Sequence, residues 1–170
     1  MKRKQRKEKK HSSYKKSAVI VALALLGTFT VLLNLFTHVL AVVQYFGNGM
    51  EPALKNGQTL VLHRTDRVKE GDIVAFYYNN QLLVRRVICE GGKQVYINKD
   101  GSVEINNEPL DEPYLEQTSI GQCNITFPHK VAPAHYFVMG DNRTIAMDSR
   151  LKEIGTISAD RILGKVLFAI

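Results

Sequence analysis

Cysteine is nearly absent from this chain. Its 170 residues hold two, Cys89 and Cys123, too few for a disulfide framework. Whether these two form a bridge or stay as isolated thiols is left open by the sequence. Metal-ligand spacing is missing as well. No CxxC or HxxxH occurs, and His63, His129 and His135 are scattered, whereas zinc needs clustered ligands. No metal site and no other cofactor is expected. There is no internal repeat, and no low-complexity segment beyond the N-terminal tail. A basic stripe is missing from the body of the chain, although the net charge is +7. Met1 to Lys16 hold nine Lys or Arg and one Glu, a net +8, so the remaining residues sum to 7 − 8 = −1. The basicity belongs to the tail, and nucleic acid is not expected as a partner. With 45% hydrophobic and 23% charged residues, the chain can build a packed core.

Charge is absent from a long stretch. Ser17 to Met50 contains no Asp, Glu, Lys or Arg, and Ala18 to Val43 is its most apolar part. About 20 helical residues cross a bilayer's hydrocarbon core, so this run reads as one transmembrane helix. A cleaved secretory signal would be shorter and end in a small-x-small site, to which Leu40-Ala41-Val42 is a poor match. The expected division is a basic tail over 1–16, solvated and unstructured, a transmembrane helix over 17–43, and an outer domain over 44–170. Positive charge stays on the cytoplasmic side. The expectation is therefore a single-pass cell-membrane protein, N-terminus cytoplasmic, with the lipid bilayer as a partner and the C-terminal domain outside.

Beyond the run the pattern is β. Thr59 to Leu62, Ile73 to Tyr78 and Gln81 to Cys89 read as strands, the last two joined by the tight turn Asn79-Asn80. Gln94 to Asn98 and Ser102 to Asn106 flank Lys99-Asp100-Gly101 as a second hairpin. Asn107 to Pro133 reads as an irregular excursion. His135 to Met139 and Ile162 to Phe168 close the list. The fold class expected is mainly β, on a membrane stalk. Between stalk and strands, Gly47-Asn48-Gly49 permits unusual backbone angles and Pro52 fixes a turn. Taken alone, the spacing of that segment favours a simple turn after a helix.

Four stretches carry more. They are Gly49-Met50-Glu51-Pro52-Ala53-Leu54, Gly71-Asp72-Ile73-Val74-Ala75-Phe76, Arg85-Arg86-Val87-Ile88-Cys89, and Gly140-Asp141-Asn142-Arg143 through Asp148-Ser149-Arg150. In this order they resemble the boxes of bacterial type I signal peptidases, the Gram-positive members with one span in particular. The resemblance covers roughly residues 15–170. It implies a signal-peptidase-like β domain outside the membrane, one N-terminal span, and a groove that takes exported peptides. The matching groove positions include Val43, Tyr45, Gly47, Asn48, Leu82 and Val84. Asp72, Asp141, Asn142, Arg143, Asp148 and Arg150 match the family's scaffold residues.

Four positions depart from the pattern, among them Ala53, which replaces the Thr next to the nucleophile's turn. Gly49 stands where the family has its nucleophilic Ser, Arg85 where it has the Lys base, and Ala146 where a Ser orients that Lys. A hydroxyl attacks only when a base takes its proton. A guanidinium is effectively never deprotonated in a protein. Catalytic residues are therefore read as none, and the expectation is an inactive homologue, not an enzyme, that keeps the groove. Its partners would be signal peptides of exported proteins or an active signal peptidase. The alternative is an active type I signal peptidase with residual or rewired processing. Cys89 is a poor substitute nucleophile. Strand alternation puts Arg85, Val87 and Cys89 on one side, but four residues along a strand is about 13 Å.

Overall fold

The computed structural model describes residues 2–65 and 67–170, without the side chains of 2–17 and 35. The chain divides into two compact units, Met1–Val39 and Leu40–Ile170.

The first unit is one helix, α1 (Lys2–Val39). It begins where the sequence reading has an unstructured tail. Lys, Arg, Gln and Glu are strong helix formers, and no Gly or Pro precedes Gly27. The tail's basic side chains lie outside the described residues. Ala18–Val39 is a candidate membrane span of 22 residues with mean hydropathy 2.4. At about 1.5 Å per residue it reaches roughly 33 Å, enough for the hydrocarbon core. Its threonines return their hydroxyls to the helix: Thr28 Oγ1 donates to Leu25 O (2.9 Å), Thr30 to Leu26 O (2.9 Å) and Thr37 to Asn34 O (2.9 Å). These bonds satisfy groups that lipid would leave unpaired.

The helix ends at Val39, and not at residue 43 as the hydropathy pattern suggests. Leu40–Gln44 forms strand β1 of the second unit. No charge marks this boundary. What ends the helix is pairing, since Leu40 to Gln44 run antiparallel to His63 to Thr59.

The second unit is mainly β. Its further strands are β2 (Thr59–His63), β3 (Ile73–Tyr78), β4 (Gln81–Glu90), β5 (Gln94–Ile97), β6 (Val103–Ile105), β7 (Glu108–Pro109), β8 (His129–Lys130), β9 (His135–Met139), β10 (Ile157–Ser158) and β11 (Ile162–Ala169). A curled seven-stranded sheet has the order β1-β2-β11-β3-β4-β9-β10, and a four-stranded sheet the order β7-β6-β5-β8. Three apolar clusters fill the unit. On β3, Val74 and Phe76 enter one cluster while Ala75 between them enters another, as a side-chain period of two requires. A third cluster joins Ile88, Cys89, Phe137 and Met139 of the large sheet to Val95, Ile97 and Val103 of the small one.

Turn chemistry sets the hairpins. Asn79 and Asn80 both take positive φ (47° and 61°) between β3 and β4, the pair of angles a two-residue hairpin needs. Asn106 and Asn107 do the same (52° and 68°) between β6 and β7. Gly101 has φ 88°, and a Cβ there would lie 2.3 Å from Ser119 N. Gly57 has a similar φ of 86° with nothing within 4 Å. Gly101→Ala is therefore expected to lower the unfolding temperature well beyond Gly57→Ala. The latter meets only backbone strain of about 1 kcal/mol. Thermal unfolding of the two variants in detergent, followed by circular dichroism, checks the order.

Candidate functional site

Where the chain leaves β1 it makes a short, tightly bonded hook. Tyr45 N donates to Gln58 O (2.8 Å), and Gly57 N to Tyr45 O (2.9 Å). Gly47 N donates to Asn56 Oδ1 (2.8 Å). Met50 N donates to the Tyr45 hydroxyl (3.1 Å), and Leu54 N to Met50 O (2.9 Å). Tyr45 and Met50 are both buried, and burial pushes the Tyr45 phenol's pKa up. The hook holds Gly49 half-buried with its carbonyl accepting from Asn142 N (3.1 Å). Gly140 must stay without a side chain. A Cβ there would lie 2.4 Å from Gly49 O and 2.3 Å from the Ala146 Cβ.

Arg85 of β4 faces this hook. A Cβ built on Gly49 would lie 3.3 Å from Arg85 Nη1 and 3.4 Å from its Cζ. The structure thus brings Gly49, Arg85 and Ala146 into one neighbourhood, through Gly140. Arg85 is 5% exposed. Its Nε donates to Met147 O (2.8 Å) and its Nη1 to Val84 O (2.6 Å). Desolvation draws its pKa down, partly offset by the charge of nearby Asp148; it remains a cation.

A frame of paired charges surrounds the site. Asp148 and Arg150 are fully buried and joined at 2.8 Å. Asp148 Oδ2 also accepts from Gly140 N (3.0 Å), and Arg150 Nη1 donates to Arg143 O (2.8 Å) and Ile120 O (2.9 Å). Arg143 donates to Gly140 O (3.1 Å) and holds Glu112 with both terminal nitrogens. Arg86 grips both Asp141 oxygens and lies 3.9 Å over the Tyr114 ring. Burial and the bond to Glu112 push the Tyr114 phenol's pKa up. Asp72 pairs with Lys165 of β11 (3.1 Å). Among the described residues, no buried side-chain nitrogen or oxygen lacks a partner. Glu112 and Tyr114 were invisible to the sequence reading, because they lie in the irregular excursion 31 residues from Arg143 in the case of Glu112.

Beside the hook is a cavity of about 520 Å³ lined by Gln44, Phe46, Gly47, Gln81, Leu82 and Leu83. Two backbone edges meet there. β1 is the outermost strand of its sheet. β4 gains its second neighbour, β9, only from Arg86 onward, so Gln81 to Arg85 bond β3 alone. Of the six groove positions named from the sequence, Gly47 and Leu82 line this cavity. Tyr45 and Val84 are buried in the cluster beneath, Val43 packs against it, and Asn48 is exposed. Gln44, Phe46, Gln81 and Leu83, each next to a named position, are the additional lining residues. The period of two carries alternate residues of each segment to opposite faces.

Strand alternation from Arg85 to Cys89 does not hold. The β4–β9 register shifts between Val87 and Cys89, sending Val87 into one cluster and Cys89 into another. Cys89 and Cys123 are both free. Cys89 is fully buried, and burial pushes its pKa up to about 12. A thiol reagent at pH 8 is therefore expected to label half-buried Cys123 and spare Cys89 until the protein unfolds. Mass spectrometry of the labelled chain checks this. The raised pKa also has a stability consequence. The folded form keeps the Cys89 proton while the unfolded form loses it, so stability falls as pH rises from about 9 towards 12.

The comparisons with known proteins agree on one family. The family model for Signal peptidase, peptidase S26, matches residues 15–170. Signal peptidase I T of Bacillus subtilis is 36% identical over 72% of this chain and 69% of its own. Signal peptidase IB of Staphylococcus aureus is 33% identical over 72% of this chain and 73% of its own. A crystal structure of a signal peptidase I from Enterococcus faecalis V583 is similar at 29% identity with a TM-score of 0.50, over 60% of this chain and 97% of that one. These relatives overturn the expectation, drawn from Gly49 and Arg85, that the chain is not an enzyme. Proteins 33% and 36% identical to it carry peptidase names.

Proposed function

The chain belongs to the peptidase S26 family of signal peptidases, and from that premise we propose that it processes signal peptides of exported proteins at the membrane surface. The observation that carries this reading is the cavity of about 520 Å³ between the Gln44–Gly47 segment and the Gln81–Leu83 segment. It opens between two backbone edges with unused hydrogen-bonding groups, and Gly47 of its lining lies two residues before Gly49. An extended peptide adds to such edges through main-chain bonds, and apolar lining selects its side chains. A basic tail beside a candidate span supports a cytoplasmic N-terminus with the β unit across the bilayer. The lipid bilayer and the preprotein are then the partners.

The chemistry is that of a rebuilt site. Gly49 offers no hydroxyl and Arg85 no neutral amine, so a water attacks the carbonyl, its proton passes to the leaving amine, and the groove contributes binding and electrostatics. Arg85, buried beside Gly49, is the cation that would offset negative charge developing on a peptide carbonyl bound there. Groups of this kind sustain a residual rate about 10³–10⁴ above water when a catalytic side chain is lost. The test uses the full-length chain in detergent micelles with a preprotein bearing a small-x-small site. Slow cleavage at that bond, lost in Leu82→Asp, supports the reading. No cleavage above buffer, or cleavage indifferent to Leu82→Asp, overturns it.

A further inference from the structure

Along the chain, Gly49 and Arg85 stand between the linings of two cavities. The one already described draws its lining from residues 44–47 and 81–83, which precede Gly49 and Arg85 in their segments. A second cavity, of about 500 Å³, is lined by the turn that follows Gly49, by Glu116 and Gln117 of the excursion, and by Asp141 to Arg143. The main chain ties it to the same neighbourhood. Asn142 N donates to Gly49 O (3.1 Å), and Arg86, the residue after Arg85, grips Asp141. Its volume is that of a small-ligand site, about 300–1,000 Å³.

The two cavities differ in chemistry. The first carries Phe46, Leu82 and Leu83. The second carries ionised groups, and two of these are already paired, Asp141 with Arg86 and Arg143 with Glu112. Glu51, Lys55 and Glu116 are in no ion pair among the described residues. They set two negative charges against one positive, a net −1 on the lining. The half-buried Asn142 carboxamide also makes no hydrogen bond among the described residues. The lining is preorganised. Glu112 holds Arg143, and Gln117 Nε2 donates to Thr144 Oγ1 (3.1 Å), so the excursion need not be ordered when a ligand enters.

We propose that this second cavity receives the residues that follow the processed bond, and that it selects a basic side chain among them. A peptide extended through the first cavity and past Gly49 continues into the second. A Lys or Arg there meets the carboxylates of Glu51 and Glu116, and an acidic residue is repelled by them. Lys55 opposes the selection and limits its size. The recognised class is thus a peptide that is apolar before the bond and polar, with a cation, after it.

This inference rests on the processing reading of the preceding subsection, and one experiment separates the two. The full-length chain in detergent micelles is titrated with fluorescent peptides of one sequence that span a small-x-small site. They differ only after the bond, where one carries Lys and the other Glu. The Lys peptide is expected to bind about tenfold tighter, since attraction in one and repulsion in the other add. The ratio should shrink with added salt. It should fall to about one when Glu51→Gln and Glu116→Gln are combined, and rise in Lys55→Glu, a change at an exposed position. Leu82→Asp should weaken both peptides alike, which reads the groove apart from the second cavity. Equal binding of the two peptides, tighter binding of the Glu peptide, or a ratio that the substitutions do not move overturns the cavity proposal and leaves the groove reading standing. Failure of both peptides to bind overturns both.

Discussion

Changing Gly49 to Ser, Arg85 to Lys and Ala146 to Ser together is expected to raise the rate of preprotein cleavage by about 10³-fold or more. The size follows from the chemistry restored. A hydroxyl at position 49 becomes a nucleophile only when a neutral amine takes its proton, and burial at position 85, where Arg85 is 5% exposed, is what depresses a lysine pKa. The three changes are expected to act as a unit. A Ser Cβ at position 49 would come within 3.3 Å of Arg85 Nη1, so Gly49→Ser alone crowds the guanidinium and gains no base. The single variant should stay close to wild type. A time course of preprotein processing for wild type, single and triple variants checks the pattern.

Asp148→Ala is expected to destabilise the β unit by about 3–5 kcal/mol, because it leaves Arg150 charged, fully buried and unpaired. It also orphans Gly140 N, which Asp148 Oδ2 now accepts from at 3.0 Å. The corresponding fall in unfolding temperature is on the order of 10 °C. Glu70→Ala serves as the control. Its pair with Lys93 is 2.7 Å long but 39% and 31% exposed, and such pairs are worth about 1 kcal/mol or less. Equal losses for the two variants would mean that the charged frame around the site carries no special weight.

The strand-and-turn plan was legible because its signals are local. The pair Asn79-Asn80 between two β-branched runs marked its hairpin, and both residues adopt the positive φ that such a turn needs. The same chemistry at Asn106-Asn107 went unnoticed, since the strand it introduces is two residues long. β1 was hidden inside the apolar run, where Leu, Ala and Val suit helix and strand alike, and only pairing with β2 decides. The bulge between Val87 and Cys89 broke the alternation on which the shared face of Arg85 and Cys89 depended. At the site, Gly49, Arg85 and Ala146 were named from motif spacing, and the fold gathers them. What the sequence could not offer was Arg85's surroundings. Met147 O, which fixes its Nε, is 62 residues away, and contacts of that span follow from the fold and not from any local pattern.

The most direct test of the groove account is a single-turnover cleavage measurement across enzyme concentration, wild type against the triple variant, on one preprotein in detergent micelles. The account predicts cleavage at the same small-x-small bond by both. It predicts the same half-saturating concentration, since the groove is shared, and a far lower maximal rate for wild type. A wild-type chain that cuts elsewhere, or that does not saturate where the variant does, would contradict it.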